Sequence, residues 1–354
     1  MRQKQQLIYP LLVLGVLALQ VTAFGQDTPA TYQQIATIPL PGGLSSFDIS
    51  WVDAANGRFY LADRTAVKGG GRIDVIDTQA MQLLYTIPTT AAEIGFAGPQ
   101  TAVTPGCTIS GPNGVVAIPQ LNQLYVGDGD STVKVVDLAA KAIVAIIPTG
   151  GKCRADELGY DPLDHIIMIA NPNDTPPFVT FISTDTQQVV GKYVYQGRVG
   201  GLEQPVWNRL TKRFQMTVPA TASSPGSIDV FNPVTMQLEQ SITTGACSPA
   251  GLALTTNQHM FTSCGAVVDG RTGDSLATIS GVGGDEIWYN PGDHRIYFGA
   301  TAGAVNVVDG DTFQIVGTIP ANGRNVSVDS ETGRVFVPVA GQGILVFVAP
   351  DPVK

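Results

Sequence analysis

The chain is short of charge, of histidine and of cysteine, and each shortage removes a class of chemistry. Of its 354 residues 14% are charged, three are His and four are Cys. No CxxC occurs among the cysteines, which excludes a dithiol redox motif and a zinc ribbon. No Ser-His-Asp, Cys-His or phosphate-loop arrangement can be traced. Basic residues are few as well: 20 Lys and Arg stand against 29 Asp and Glu, a formal net charge of −9. Such a chain lacks the basic footprint that phosphate binding requires, so no nucleic-acid partner is expected. Apolar runs long enough to span a bilayer, roughly 20 residues, are missing too. What the chain has in excess is turn residues, 40 Gly and 24 Pro, beside a hydrophobic fraction of 44%, the composition of a turn-dense all-β protein.

That composition is organised as a repeat. A β-branched run ending near Asp or Asn recurs seven times, as in RIDVID (Arg72 to Asp77), TVKVVD (Thr132 to Asp137), SIDVFN (Ser227 to Asn232) and AVNVVD (Ala304 to Asp309). An outer strand follows, often finishing in Thr-Ile-Pro, and another strand precedes it, such as GRFYLAD (Gly57 to Asp63) or HRIYFGA (His294 to Ala300). An innermost strand such as FDISWVD (Phe47 to Asp53) comes first, closed by an Asp-, Asn-, Pro- and Gly-rich turn. Four strands in about 40 residues is the blade of a β-propeller, so the expected fold is an all-β, seven-bladed propeller. The last unit has three strands, while Tyr32 to Pro39 is an orphan strand matching Ile315 to Pro320. The orphan is expected to pair with Gly343 to Val348 and close the ring, leaving no open blade edge.

Residues 1–25 read as a signal peptide: a basic MRQKQ, the apolar LIYPLLVLGVLAL interrupted beyond by Gln20, and small residues at Ala23 and Gly25. The remaining residues, 26–354, read as one propeller domain, secreted or periplasmic, monomeric, with no stable membrane span after cleavage. Export makes disulfides expected. By blade register Cys107 and Cys153 both precede innermost strands of adjacent blades, and Cys247 and Cys264 flank one face of blade five. The predicted bridges are Cys107–Cys153 and Cys247–Cys264. His165, His259 and His294 fall at the start of second strands, on the opposite face, and read as hairpin residues.

Counting back twelve residues from the ring residue of each second strand gives Asp48, Asn113, Asp156, Glu203, Pro249, Asp285 and Arg324. Equivalent positions are related by rotation about the axis, so these should form a ring at one mouth of the channel, with Glu157 and Glu286 beside it. Crowded carboxylates must be relieved by a cation or by raised pKa values. Asp48, Asp156, Glu203 and Asp285 are therefore the candidate ligands for Ca²⁺ or Mg²⁺, which favour oxygen donors; a solvated ring with Arg324 as counter-ion is the other reading. Four segments on the same face, Thr89 to Pro112, Asp63 to Gly71, Asn171 to Pro177 and Pro219 to Gly226, are expected as irregular loops shaping a pocket.

The strings GRFYLAD…RIDVIDTQAMQLLYTIP, NQLYVGDGDSTVKVVD and HRIYFGATAGAVNVVDGDTFQIVGTIP resemble the YVTN-repeat, YncE-like seven-bladed propellers, exported bacterial proteins. That resemblance spans the chain after the leader and implies a binding or surface role, with no catalytic motif. GPNGVVAIPQLNQLYV (Gly111 to Val126) looks like the Pro-Asn-Gly segment of gluconolactonase and senescence-marker-protein propellers. In those an Asn and nearby acids hold a divalent metal, which here points to Asn113; their Gly-Glu-Gly-Pro signature is missing. The expected function is a binding or scaffolding module for a small-molecule or protein ligand, acting through its loop face and acidic channel. A metal-dependent, lactonase-like hydrolase is the alternative.

Overall fold

A computed structural model describes residues 29–350 except 68, 69, 91, 92, 94, 105, 106, 198, 199, 301 and 302. The leader expected at residues 1–25 lies outside the described residues. Seven four-stranded antiparallel sheets follow one another along the chain, each ordered from an inner to an outer strand. Blade one is Phe47–Asp53, Arg58–Val67, Gly70–Asp77 and Gln82–Ile87. The innermost strand of each blade lies beside those of both neighbours, and Ser327–Asp329 of blade seven lies beside Phe47–Asp53 of blade one, so the ring is closed. No helix among the described residues is long and apolar enough to cross a membrane.

The strand sequences follow from where each strand sits. Middle strands are sandwiched between neighbouring blades and have no solvent face, which is why TVKVVD and IIMIAN are nearly continuous runs of buried residues. Outer strands have one solvent face and alternate, as QLLYTI does. Seven apolar clusters result, each between two adjacent blades; at the seam of blades seven and one, Phe336 stacks on Phe59 with ring centroids 5.2 Å apart. Third and outer strands slip register at the same place in blade after blade, for example between Val135 and Val136, between Phe181 and Ile182 and between Val230 and Phe231. A bulge repeated in this way twists the outer strand consistently around the disc.

The ring closes as the sequence predicts. Gln33–Ile38 pairs antiparallel with Gly343–Val348, Ile38 opposite Ile344 and Gln33 opposite Val348. One further contact was not foreseen: Ala30–Thr31 runs parallel to the outer strand of blade six, Ile315–Ile319. Tyr32 fixes the crossing between the two blades. Its ring is 2% exposed, its hydroxyl lies 3.0 Å from that of Tyr297, and Arg295 donates to it at 3.0 Å.

Two of the expected loops are corrected. Within Thr89 to Pro112 a two-stranded hairpin forms, Gly98–Thr104 with Cys107–Gly111, and Asp63 to Gly71 continues the paired strands of blade one beyond its body. A bridge between Gly71 and Phe96 joins the two projections. The Gly-, Pro- and Thr-rich sequence of the first hides its strands, because these residues read as turns and leave no apolar alternation. Asn171 ends its strand, and from there to Pro177, as over Pro219 to Gly226, no strand forms, apart from a bridge between Thr221 and Ser224.

Candidate functional site

Both disulfides form on the channel face in the predicted pairing, Cys107–Cys153 and Cys247–Cys264, with Cα atoms 5.2 and 5.6 Å apart. The first ties the hairpin over blade two to the segment entering blade three, and the second ties the entry of blade five to its own second turn. On the opposite face His165 and His294 occupy turn positions with φ of 56° and 58°, equivalent to Gly57 and Gly333, and His259 starts its strand with Nδ1 3.1 Å from the Gly310 carbonyl. His165 and His294 are turn residues and His259 opens a second strand, all three far in role from the channel.

At the channel mouth the residues counted from the repeat come together, but with partners that the count did not reveal. Arg64 leaves the extended second strand of blade one and bonds the Asp48 carboxylate and the Asn113 amide oxygen, while its Nε donates to the Pro112 carbonyl at 3.1 Å. Asn113 is fully buried and also donates to the Ala155 carbonyl at 2.7 Å, which makes it a brace between blades. Arg154 reaches Asp156 at 2.7 Å, and Arg324 pairs with Asp285. Pro249 precedes the innermost strand of blade five, Leu252–Leu254, and brings no polar group. Arg64 and Arg154 were missed. A signal for Arg154 existed, since a cation two residues before a ring acid is unusual in a chain this poor in charge; Arg64 lies on an elongation of the blade that only pairing reveals.

Each Arg thus serves an Asp, and the glutamates are left over. Glu157 is 6% exposed and takes part in none of the ion pairs of the mouth. Glu203 has no ion-pair partner there either, and Glu286, 2% exposed, accepts a single long bond of 3.5 Å from the Ser50 N–H. Burial, which disfavours a charged carboxylate, pushes Glu203 up to about 8, and repulsion from Asp156 and Asp285 adds to it. The same two causes hold Glu157 well above the usual range, with Glu203, Asp156 and Glu286 as its repelling neighbours. Burial raises Glu286 likewise, against the opposing bond from Ser50. Asp156 rises less, to about 6, because the Arg154 guanidinium counteracts its burial. Acids of blades three, four and six thus feel one another's charge.

A divalent ion does not fit this arrangement. Asp48, Asp156 and Asp285 are committed to guanidinium groups and the Asn113 oxygen to Arg64. Among the described residues no three His, Cys, Asp or Glu side chains are grouped to hold one ion. Beside Asp285 and Arg324 a cavity of about 360 Å³ opens to the face, lined also by Ser45, Ser46, Phe47 and Asn322.

The fold and site define a seven-bladed β-propeller with an acidic, arginine-braced channel mouth. No protein-family model and no curated protein matches the chain.

Proposed function

We propose that the protein is an exported binding propeller of the YVTN-repeat kind, taking a ligand or partner at its channel face. The observation that carries this reading is the gathering of six acidic residues and three guanidinium groups at one mouth, where Glu157 and Glu203 belong to none of the three ion pairs. Burying a charge without a partner costs stability, and propeller cores need no such residues at this position. A group retained at that cost is accounted for by a ligand that supplies the missing partner. Two disulfides fit an oxidising compartment outside the cytoplasm. The paired hairpins beside the mouth give a partner a raised, covalently tied surface.

The test is a binding screen with a mixed panel of anionic, neutral and cationic metabolites and short peptides, read by native mass spectrometry. The wild-type protein is compared with Glu157→Gln/Glu203→Gln. A compound retained by the wild type and lost by the double variant supports a binding mouth; a panel in which nothing depends on the ring contradicts it.

A further inference from the structure

We propose a second binding site on the channel face, a cavity of about 480 Å³ between blades two and three that takes a small organic carboxylate carrying a hydroxyl group. Its walls come from three directions: Lys152 with the Cys107–Cys153 bridge, the segment Asn173 to Phe178, and the outer strand of blade three, Gln188–Val194. None of its lining residues belongs to the channel mouth, so this site stands or falls apart from the reading above.

The argument starts from the cations. In a chain with more acids than bases most cations already meet a carboxylate, as Lys134 meets Asp128, Arg213 meets Glu239 and the three arginines of the mouth meet their aspartates. Lys152 and Lys192 form no ion pair among the described residues, and both line this one cavity. The acid of the lining, Asp174, is already engaged: one of its oxygens accepts from the Lys152 N–H at 2.8 Å and the other from the Cys153 N–H at 3.3 Å. Lys192 lies with Nζ 3.9 Å from the centre of the Phe178 ring. Its partial burial lowers it below the ordinary lysine range, although the charge of Asp174 opposes that. A ring face takes only one side of an ammonium, which leaves N–H donors for an anion.

The rest of the lining selects the body of the ligand. Pro176, Phe178 and Val194 are apolar and suit a carbon skeleton rather than a bare inorganic ion. The Asn173 side-chain oxygen is buried with no hydrogen-bond partner among the described residues, an acceptor that a ligand hydroxyl completes. Two ammonium groups, one open acceptor and apolar walls together describe a hydroxy acid. The volume agrees, lying within the range of about 300–1,000 Å³ usual for small-molecule sites.

The experiment is isothermal titration calorimetry of the protein with mandelate, phenylacetate, benzyl alcohol and inorganic phosphate, at neutral pH and about 50 mM ionic strength, where screening is modest. Lys152→Gln, Lys192→Gln and Asn173→Ala are titrated beside the wild type. Lys212→Gln, which removes an exposed lysine from a turn of the opposite face, is the control for lost charge. Circular dichroism checks that each variant is folded. The expected result is saturable binding of mandelate, about tenfold weaker in either cavity lysine variant and unchanged in Lys212→Gln. Phenylacetate, which lacks the hydroxyl, should bind the wild type more weakly than mandelate does, and the two should become equal in Asn173→Ala. Benzyl alcohol, without the carboxylate, should not bind. No binding of mandelate by the wild type overturns the inference, as do phosphate bound more tightly than mandelate and a loss in Lys212→Gln equal to that in the cavity variants.

Discussion

The two faces of the disc carry the same acidic residues in opposite electrostatic states. On the turn face the Asp or Asn that ends a strand accepts from the backbone N–H groups two and three residues on: Asp77 from Gln79 and Ala80, Asp137 from Ala139 and Ala140, Asn232 from Val234 and Thr235, Asp309 from Asp311 and Thr312. The Ala80 N–H holds Asp77 below its ordinary range, and Asp309 is also lowered, burial opposing but the Thr312 N–H prevailing. More deeply set Asp161 is the exception, raised by its burial. On the channel face the carboxyls of Asp156, Glu157, Glu203 and Glu286 are all raised by burial. An acid that finishes a turn is part of the repeat. A carboxyl raised by burial at the channel mouth is an addition to it.

The faces also differ in what holds them, and the largest expected effect comes from there. Turns on one face are closed by side-chain hydrogen bonds, whereas both disulfides lie on the other. Cys107→Ser/Cys153→Ser should cost about 4 kcal/mol in urea unfolding and Cys247→Ser/Cys264→Ser about 3 kcal/mol, following the lengths of the loops they close. The blades should remain folded in both, with the loss of Cys107–Cys153 loosening the hairpin Gly98–Thr104 and Cys107–Gly111, as proteolysis within it would report.

The next effect separates the acids themselves. Glu203→Gln should stabilise the protein by about 2 kcal/mol at pH 8 and leave it unchanged at pH 5, because a charge that is expensive only when ionised has been removed. The wild type follows the same sign. A carboxyl whose pKa rises from 4.5 to about 8 on folding binds more protons in the native state, so stability is full below 4.5 and falls as pH climbs through about 8. The lowered turn carboxyls act the other way, contributing above their unfolded pKa near 4 and losing that contribution as pH falls further. Chemical denaturation against pH should therefore give a maximum near pH ~5, and the Gln variant should flatten its alkaline side.

Smallest is the effect of a single turn. Asp77→Ala removes two backbone acceptor contacts and should cost about 1 kcal/mol at neutral pH, shrinking toward zero below pH ~3. A cost that grew in acid would erase the contrast between the faces.

The same contrast explains what the sequence made legible. Seven blades, the closing strand and both disulfides could be read because each follows from register in a repeat, and a slip of one residue would turn every buried side chain outward. The turn acids were visible as strand endings for the same reason. The ring positions Asp48, Asn113, Asp156, Glu203, Asp285 and Arg324 could be counted, and they do assemble at one mouth. Their pairing could not be counted. Arg64 departs from the repeat, reaching Asp48 and Asn113 from an elongated strand with no counterpart in the other blades, and Asn113, expected beside a metal on the strength of Pro-Asn-Gly, turns its oxygen to that arginine. The Ala30–Thr31 addition to blade six was hidden likewise, since two residues carry no pattern.

The most direct test of the account is a ¹³C NMR titration of the glutamate side-chain carboxyls, with Glu203→Gln used to assign the signal of Glu203. The account predicts that Glu203 titrates near 8. A midpoint in the ordinary glutamate range near 4.5 would contradict it.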